Sequence, residues 1–283
     1  MTRVATGIRP LGPAELPACL RLAESHGWPA EIRAWEFLFA TGAVHGTEGE
    51  RPGELAGVVA SVRYGTAVTT VGGMLVAERY GRQGLGSRLM RHAVDRAPAD
   101  TVWLTATAPG RPLYERLGFR PVGTLVRFSG RPGPVDRAGD GSRPAVPADL
   151  PAIIALDTEV FGADRSPLLT LLASVATGAR VAEGPRGLTG YAMTWSGVGF
   201  TVVGPLIAES TETAVGLLDG LTDPAAGGGG PLRIDIGRER AGLREWALAR
   251  GLREGGTTAV MIRGGPLPGD RSRLFTPVTG ALG

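Results

Sequence analysis

The sequence predicts an α/β fold built as two tandem units, and three observations predict it. Short apolar strand patterns alternate with amphipathic helical ones along the chain. The pattern Pro-Ala-acid-Leu-Pro-Ala opens an apolar helix twice, at 13–18 and at 147–152, the mark of an internal repeat. Between the two copies, residues 129–147 are dense in Gly, Pro and charge without periodicity, which reads as a linker. A length of 283 residues suits two domains of ordinary size, so the expected division is 1–128, a linker 129–147 and 148–283.

The first unit opens with a short strand, Ile8 to Leu11. PAELPACLRLAESHG carries Leu16, Cys19, Leu20 and Ala23 at helical spacing, with Cys19 a small core residue. A second helix fits AEIRAWEFLFATG, stopped by Gly42. Strands follow near 42–47, 54–64 and 66–77, the last two joined at Tyr64-Gly65. A glycine-containing turn, AERYGRQGLG, then opens a helix through SRLMRHAVDRA. Leu85, Leu89, Ala93 and Ala97 lie along one face, with Arg88, Arg91, Asp95 and Arg96 largely off it. A strand at 101–107, a short helix RPLYERLG ended by Gly118, and a strand PVGTLVRF complete the unit.

The second unit begins with the helix of PADLPAIIALDTEVFG. Strands follow near 179–183, 188–195 and 199–208, then a helix through TETAVGLLDGL and a flexible loop at 227–230. A strand LRIDI, a helix LREWALARGL and the segment from TTAVMIRG to TPVTGALG close the pattern.

Composition excludes several chemistries. All 30 basic residues are arginine. Without lysine there is no Walker phosphate loop, no Schiff-base pyridoxal site and no kinase ATP-pairing residue. The lone Cys19 excludes intrachain disulfides and cysteine-rich zinc sites, and His26, His45 and His92 form no H-E-x-x-H, so no metal is expected. The net charge is only +3, so the arginine excess reflects composition more than a nucleic-acid surface. The first residues, MTRVATGIRPLG, hold no apolar core of signal-peptide length, and no run reaches the roughly 20 apolar residues of a membrane span. The expectation is a cytoplasmic protein with no membrane partner.

The richest motif is a strand, then Gly81-Arg82-Gln83-Gly84-Leu85-Gly86, then an amphipathic helix. Glycines let backbone N–H groups converge on an anion, and the helix N-terminus adds partial positive charge. Arg82 is placed to assist. A plain strand-to-helix turn has the same glycine spacing, and the dinucleotide G-x-G-x-x-G is absent.

With its surroundings the motif becomes specific. MLVAERYGRQGLGSRLM followed by GRPLYERLGF resembles the GNAT superfamily of acyl-CoA-dependent N-acyltransferases over about residues 5–128. Bacterial tandem members show a still closer likeness, through Thr107-Ala108-Pro109-Gly110, Phe161-Gly162-Ala163-Asp164-Arg165, Val203-Gly204-Pro205 and Met261-Ile262-Arg263-Gly264. The resemblance implies two GNAT-like domains, each a mixed, mostly antiparallel sheet flanked by helices. One departure stands out. The family's usual Arg or Gln at the head of the turn is Gly81 here. The second unit runs from Ile207-Ala208-Glu209-Ser210 straight into a helix, so it resembles a GNAT fold without a CoA turn.

The resemblance also implies roles. Backbone N–H groups of Met74, Leu75 and Val76 would hold pantetheine and the developing oxyanion, a contribution typically worth about 10²–10³ in rate. Arg82, Gln83, Gly84, Leu85, Gly86 and Ser87 would hold the pyrophosphate of acetyl-CoA or another acyl-CoA. Tyr114 would protonate the departing thiolate. The strand TAVTTVGGMLVA lacks the Glu that often serves as base, leaving Glu36 and His45 as candidates against the plainer reading of solvated or packed polar residues. Trp28 and Trp35 lie where the family walls its acceptor, although core packing also explains them. Asp164 and Arg165 read either as a surface ion pair or, by the resemblance, as interdomain or acceptor contacts.

The partners implied are a small-molecule amine acceptor and acyl-CoA, with charged tRNA as an alternative donor, as in Fem-type ligases of the same fold. A homodimer is compatible with this reading, and so is a non-catalytic binding protein in which both sites have decayed.

Overall fold

The computed structural model describes residues 7–96, 98–134, 141–223 and 229–283. Residues 1–6, Ala97 of the helical stripe, and 227–228 of the glycine loop lie outside the described residues. The chain divides into two compact units. Unit 1 takes Met1–Pro121, Met261–Pro266 and Gly280–Gly283, and unit 2 takes Val122–Val260 and Leu267–Thr279.

Unit 1 carries strands β1 (Arg9–Leu11), β2 (Ala43–Glu48), β3 (Leu55–Tyr64), β4 (Val68–Val76) and β5 (Thr101–Ala106) in sheet order. The ladder is antiparallel from β1 to β4, whereas β4 and β5 are parallel. Helices α1 (Leu16–Ser25), α2 (Ile32–Thr41), α3 (Leu85–Arg96) and α4 (Arg111–Arg116) flank it. The apolar stripe of α3 buries Leu85, Leu89, Met90 and Ala93, while Arg88, Arg91, Asp95 and Arg96 stay exposed. Its close approach to β3 depends on Gly57, where a Cβ would lie 2.8 Å from Leu89.

Unit 2 holds most of β6 (Arg120–Gly130), then β7 (Ser142–Pro144), β8 (Gly178–Gly184), β9 (Gly187–Ser196), β10 (Thr201–Ala208) and β11 (Leu232–Gly237). It also holds the first part of β12 (Arg253–Gly264) and β13 (Leu274–Thr276). Helices α5 (Leu150–Phe161), α6 (Ser166–Val175), α7 (Thr211–Thr222) and α8 (Ala241–Ala249) pack on them. Its core gathers Phe128, Val203, Leu217, Ile234, Leu243 and Trp246. Again β10 pairs antiparallel with β9 and parallel with β11.

Three features depart from the sequence expectation. The division falls at Pro121–Val122 rather than at 128, because β6 is laddered with β11 from Leu125 to Gly130 and cannot leave unit 2. The expected linker contains the end of β6 and strand β7, paired with β8. Helix α6 has no counterpart in the sequence reading. Its segment SPLLTLLASV is too uniformly apolar to show a polar face, and Leu168, Leu169 and Leu172 are all buried.

Candidate active site

In unit 1 the parallel ladder of β4 and β5 runs only from Val68 opposite Thr101 to Val71 opposite Leu104. Beyond it β4 continues along β3, with a bulge between Ala60 and Val58 that accommodates Gly73 at φ +57. Among the described residues, no strand pairs with Gly73–Val76 on the β5 side, so the two parallel strands splay into a slot. Strand alternation decides which polar groups face it. The Ala77 N–H is bonded to the Ala56 carbonyl of β3 at 2.9 Å. Met74 and Val76 therefore turn their backbone groups to the open edge, while Leu75 turns its own to β3 and buries its side chain.

The turn after β4 is built by three glycines with different duties. Gly81 has ordinary extended backbone, but a Cβ there would lie 2.9 Å from the Glu78 carbonyl, so a side chain crowds that carbonyl. Gly84 is left-handed at φ +78 with open space where a Cβ would be, so its need is conformational. A Cβ on Gly86 would press Leu113 of α4 at 3.2 Å and approach Met74 and Val76, so this glycine serves packing between α3, α4 and β4. Arg82 is also left-handed, at φ +59, and exposed. The first helical bond of α3 joins the Arg88 N–H to the Gly84 carbonyl, so the N–H groups of Leu85, Gly86 and Ser87 have no helical acceptor. Such N–H groups, with the helix dipole behind them, suit an anion. Gln83 turns its side-chain amide back to the Arg79 carbonyl at 3.3 Å.

Tyr114 of α4 is buried, packs edge-on to Phe119 with ring centroids 6.1 Å apart, and has its phenol pushed up to about 12 by burial. Its hydroxyl is not engaged by any hydrogen bond among the described residues. At the far end of β4 a cleft of about 840 Å³ opens between α1, the 51–55 loop and Ala77–Arg79. The exposed His26, following α1, reaches the Val76 carbonyl through Nε2 at 2.9 Å.

Residues 14–119 match the acetyltransferase (GNAT) family, and residues 153–276 match a second acetyltransferase (GNAT) domain, so the two matches cover most of the chain. The chain belongs to the GNAT acetyltransferase family. A relative, the uncharacterized N-acetyltransferase YitH of Bacillus subtilis, is 28% identical over 93% of this chain and 94% of its own. A Pyrococcus horikoshii protein of acetyltransferase type shares the fold with TM-score 0.81 and 20% identity, covering 98% of this chain and 95% of that one. A tandem GNAT protein from the clavulanic acid biosynthesis pathway aligns with TM-score 0.60 and 14% identity, over 92% and 99% of the two chains. As a GNAT acyltransferase the protein uses acyl-CoA as co-substrate and acts on an amine acceptor.

The second GNAT domain closes its own slot. Strands β10 and β11 are parallel only from Thr201–Val203 opposite Leu232–Ile234. Past that point β13 enters: Thr276 pairs with Leu206 and Leu274 with Ile207, and the Thr276 hydroxyl donates to the Asp235 carbonyl at 3.0 Å. The chain itself fills the place that stands open in the first domain. Ser210 then caps α7 by accepting from the Thr213 N–H, with no glycine turn between strand and helix.

The remaining sequence-derived candidates separate. Trp35 is buried with its indole over Gly73, while Trp28 is 44% exposed. Glu36 is half-exposed and paired with Arg33 at 2.7 Å on the same helix turn. His45 lies on β2, roughly 10 Å and two strands from β4, with its ring against His92 of α3 at 4.6 Å. Burial, and then the neighbouring His92, lowers its pKa. Arg165 is not a surface pair and does not face solvent. It is fully buried, with Nε and Nη2 on the two Asp157 oxygens at 2.9 and 2.6 Å, and Tyr191 donates to the same carboxylate at 2.5 Å. Exposed Asp164 accepts from the Ser166 N–H at 2.7 Å, in the turn that enters α6. For Arg165, burial on Asp157 replaces the surface pair and the acceptor contact with a structural role. His26 was passed over in the sequence because its contact with Val76 spans 50 residues and leaves no local spacing signal.

Proposed function

We propose that the first domain binds acyl-CoA along the open edge of β4 and transfers its acyl group to the amine of a small molecule. The observation that carries this reading is the pairing of an unladdered strand edge at Met74 and Val76 with an anion cradle at Leu85–Ser87. Backbone N–H groups of the edge hold pantetheine and the thioester oxygen as negative charge develops. The cradle, with Arg82 beside it, holds the pyrophosphate.

Tyr114 acts on the leaving sulfur. A phenol near pKa 12 facing a thiol near 8.5 lies roughly 3.5 units, or about 5 kcal/mol, uphill for complete transfer. The hydroxyl therefore stabilises the thiolate as a hydrogen-bond donor that stays protonated throughout the working pH range. His26 donates Nε2–H to the Val76 carbonyl, an obligate acceptor. That tautomer leaves Nδ1 without a proton on an exposed ring, placed to take the amine proton.

The test is free-thiol release from acetyl-CoA in the presence of a panel of primary amines, alongside calorimetric binding of CoA. Saturable CoA binding with amine-dependent thiol release supports the reading. Absence of CoA binding overturns it.

A further inference from the structure

A segment distant in sequence occupies the apex of the slot between β4 and β5. The ladder ends at Val71 and Leu104, so Gly72 and Thr105 are the first residues to part. The Thr105 hydroxyl donates to the Gly280 carbonyl at 3.0 Å. Ala281 stands where a side chain on Gly72 would be, with its Cα 2.7 Å from that Cβ position. The Tyr64 hydroxyl donates to the Leu282 carbonyl at 2.8 Å, and Leu282 is fully buried. Three separate strands thus hold residues 280–282 in one place.

We propose that Ala281 is the floor of the acyl pocket and restricts the donor to short acyl chains. This rests on the acyl-CoA reading of the same slot. An acyl group whose thioester is held at Met74 points down the slot toward Gly72. Two extended strand residues span about 6.6 Å, an upper limit across the bulge at Gly73, and contact with Ala281 takes up about 4 Å of it. What remains admits one or two carbon atoms beyond the carbonyl. The absence of any side chain at Gly72 then has a reason: the floor needs its space.

The experiment is calorimetric binding of free CoA, acetyl-CoA, butyryl-CoA and hexanoyl-CoA, which needs no acceptor. In the unaltered protein hexanoyl-CoA should bind at least tenfold more weakly than acetyl-CoA. Ala281→Gly deepens the pocket and should narrow that ratio at least threefold. Thr105→Ala, which frees Gly280, should narrow it as well, and thermal unfolding of both variants confirms that they remain folded. Free CoA binding with equal affinity for all chain lengths, or a ratio unmoved in both folded variants, overturns the floor while leaving the CoA reading intact. No binding of free CoA overturns both.

Discussion

The indole of Trp35 lies across the backbone of Gly73. A Cβ on that glycine would sit 2.8 Å from the ring, and its φ of +57 already disfavours a side chain. Left-handed backbone alone costs an L-residue roughly 1–2 kcal/mol, and the steric overlap adds to it. Gly73→Ala should therefore lower stability by about 2 kcal/mol or more, read by denaturant unfolding, and should slow acyl transfer because the bulge positions Met74. Adding Trp35→Phe should restore part of the stability. An unchanged midpoint for Gly73→Ala would show that the bulge is pliable.

For Tyr114 the expected result is a split. Tyr114→Phe keeps the buried ring and removes only the hydroxyl, so CoA affinity should stay within about twofold while kcat falls roughly 10²-fold. With the phenol at about 12, no loss of rate from this group should appear below about pH 11. A kcat equal to that of the unaltered protein would remove Tyr114 from the chemistry.

Arg82 combines an unfavourable backbone with an exposed charge at the anion cradle. Arg82→Gly should stabilise the fold by up to about 1 kcal/mol, yet weaken CoA binding several-fold and flatten its salt dependence. If affinity and salt dependence both hold, the charge serves no ligand.

Arg165 and Asp157 form a fully buried pair shared with Tyr191. Removing one partner strands the other charge. Arg165→Met or Asp157→Asn should each cost about 3–5 kcal/mol in unfolding experiments, with CoA affinity unaffected in whatever fraction remains folded. A loss below 1 kcal/mol would mean that water reaches the site.

His45 and His92 set a pH limit. Burial is the largest cause that lowers both pKa values. His92 and Arg96 depress His45 further, and Arg96 depresses His92 against a smaller opposing effect of Asp95. Both rings take up a proton less readily in the native state than in the unfolded chain, so the unfolded chain binds more protons as pH falls below the ordinary histidine value near 6.5. Stability should be full above that value and drop as pH falls through the lowered native pKa values. His92→Gln should blunt the drop, measured as unfolding midpoints between pH 7 and 5; an identical slope in the variant would place the effect elsewhere.

The fold class was legible because α3 shows its amphipathic face in the chain itself and the repeated Pro-Ala-acid-Leu-Pro-Ala marks both entry helices. The turn between β4 and α3 was legible from its glycines, of which Gly84 is left-handed and Gly86 is a packing glycine. What escaped depends on distance along the chain. His26 on Val76, Thr105 on Gly280 and β13 beside β10 are contacts across 50 to 175 residues or a distant strand pairing. Arg165 was misread for a related reason: its burial is decided by Tyr191 and Asp157, and charge alone suggests a surface.

The strand β13 that fills the second domain's slot sets a stoichiometry. A chain carrying two copies of one catalytic fold should titrate with a single equivalent of donor, and its saturation curve should be hyperbolic within one molecule. After β10 the chain enters α7 at once, with Ser210 accepting from the Thr213 N–H where the first domain has its glycine turn.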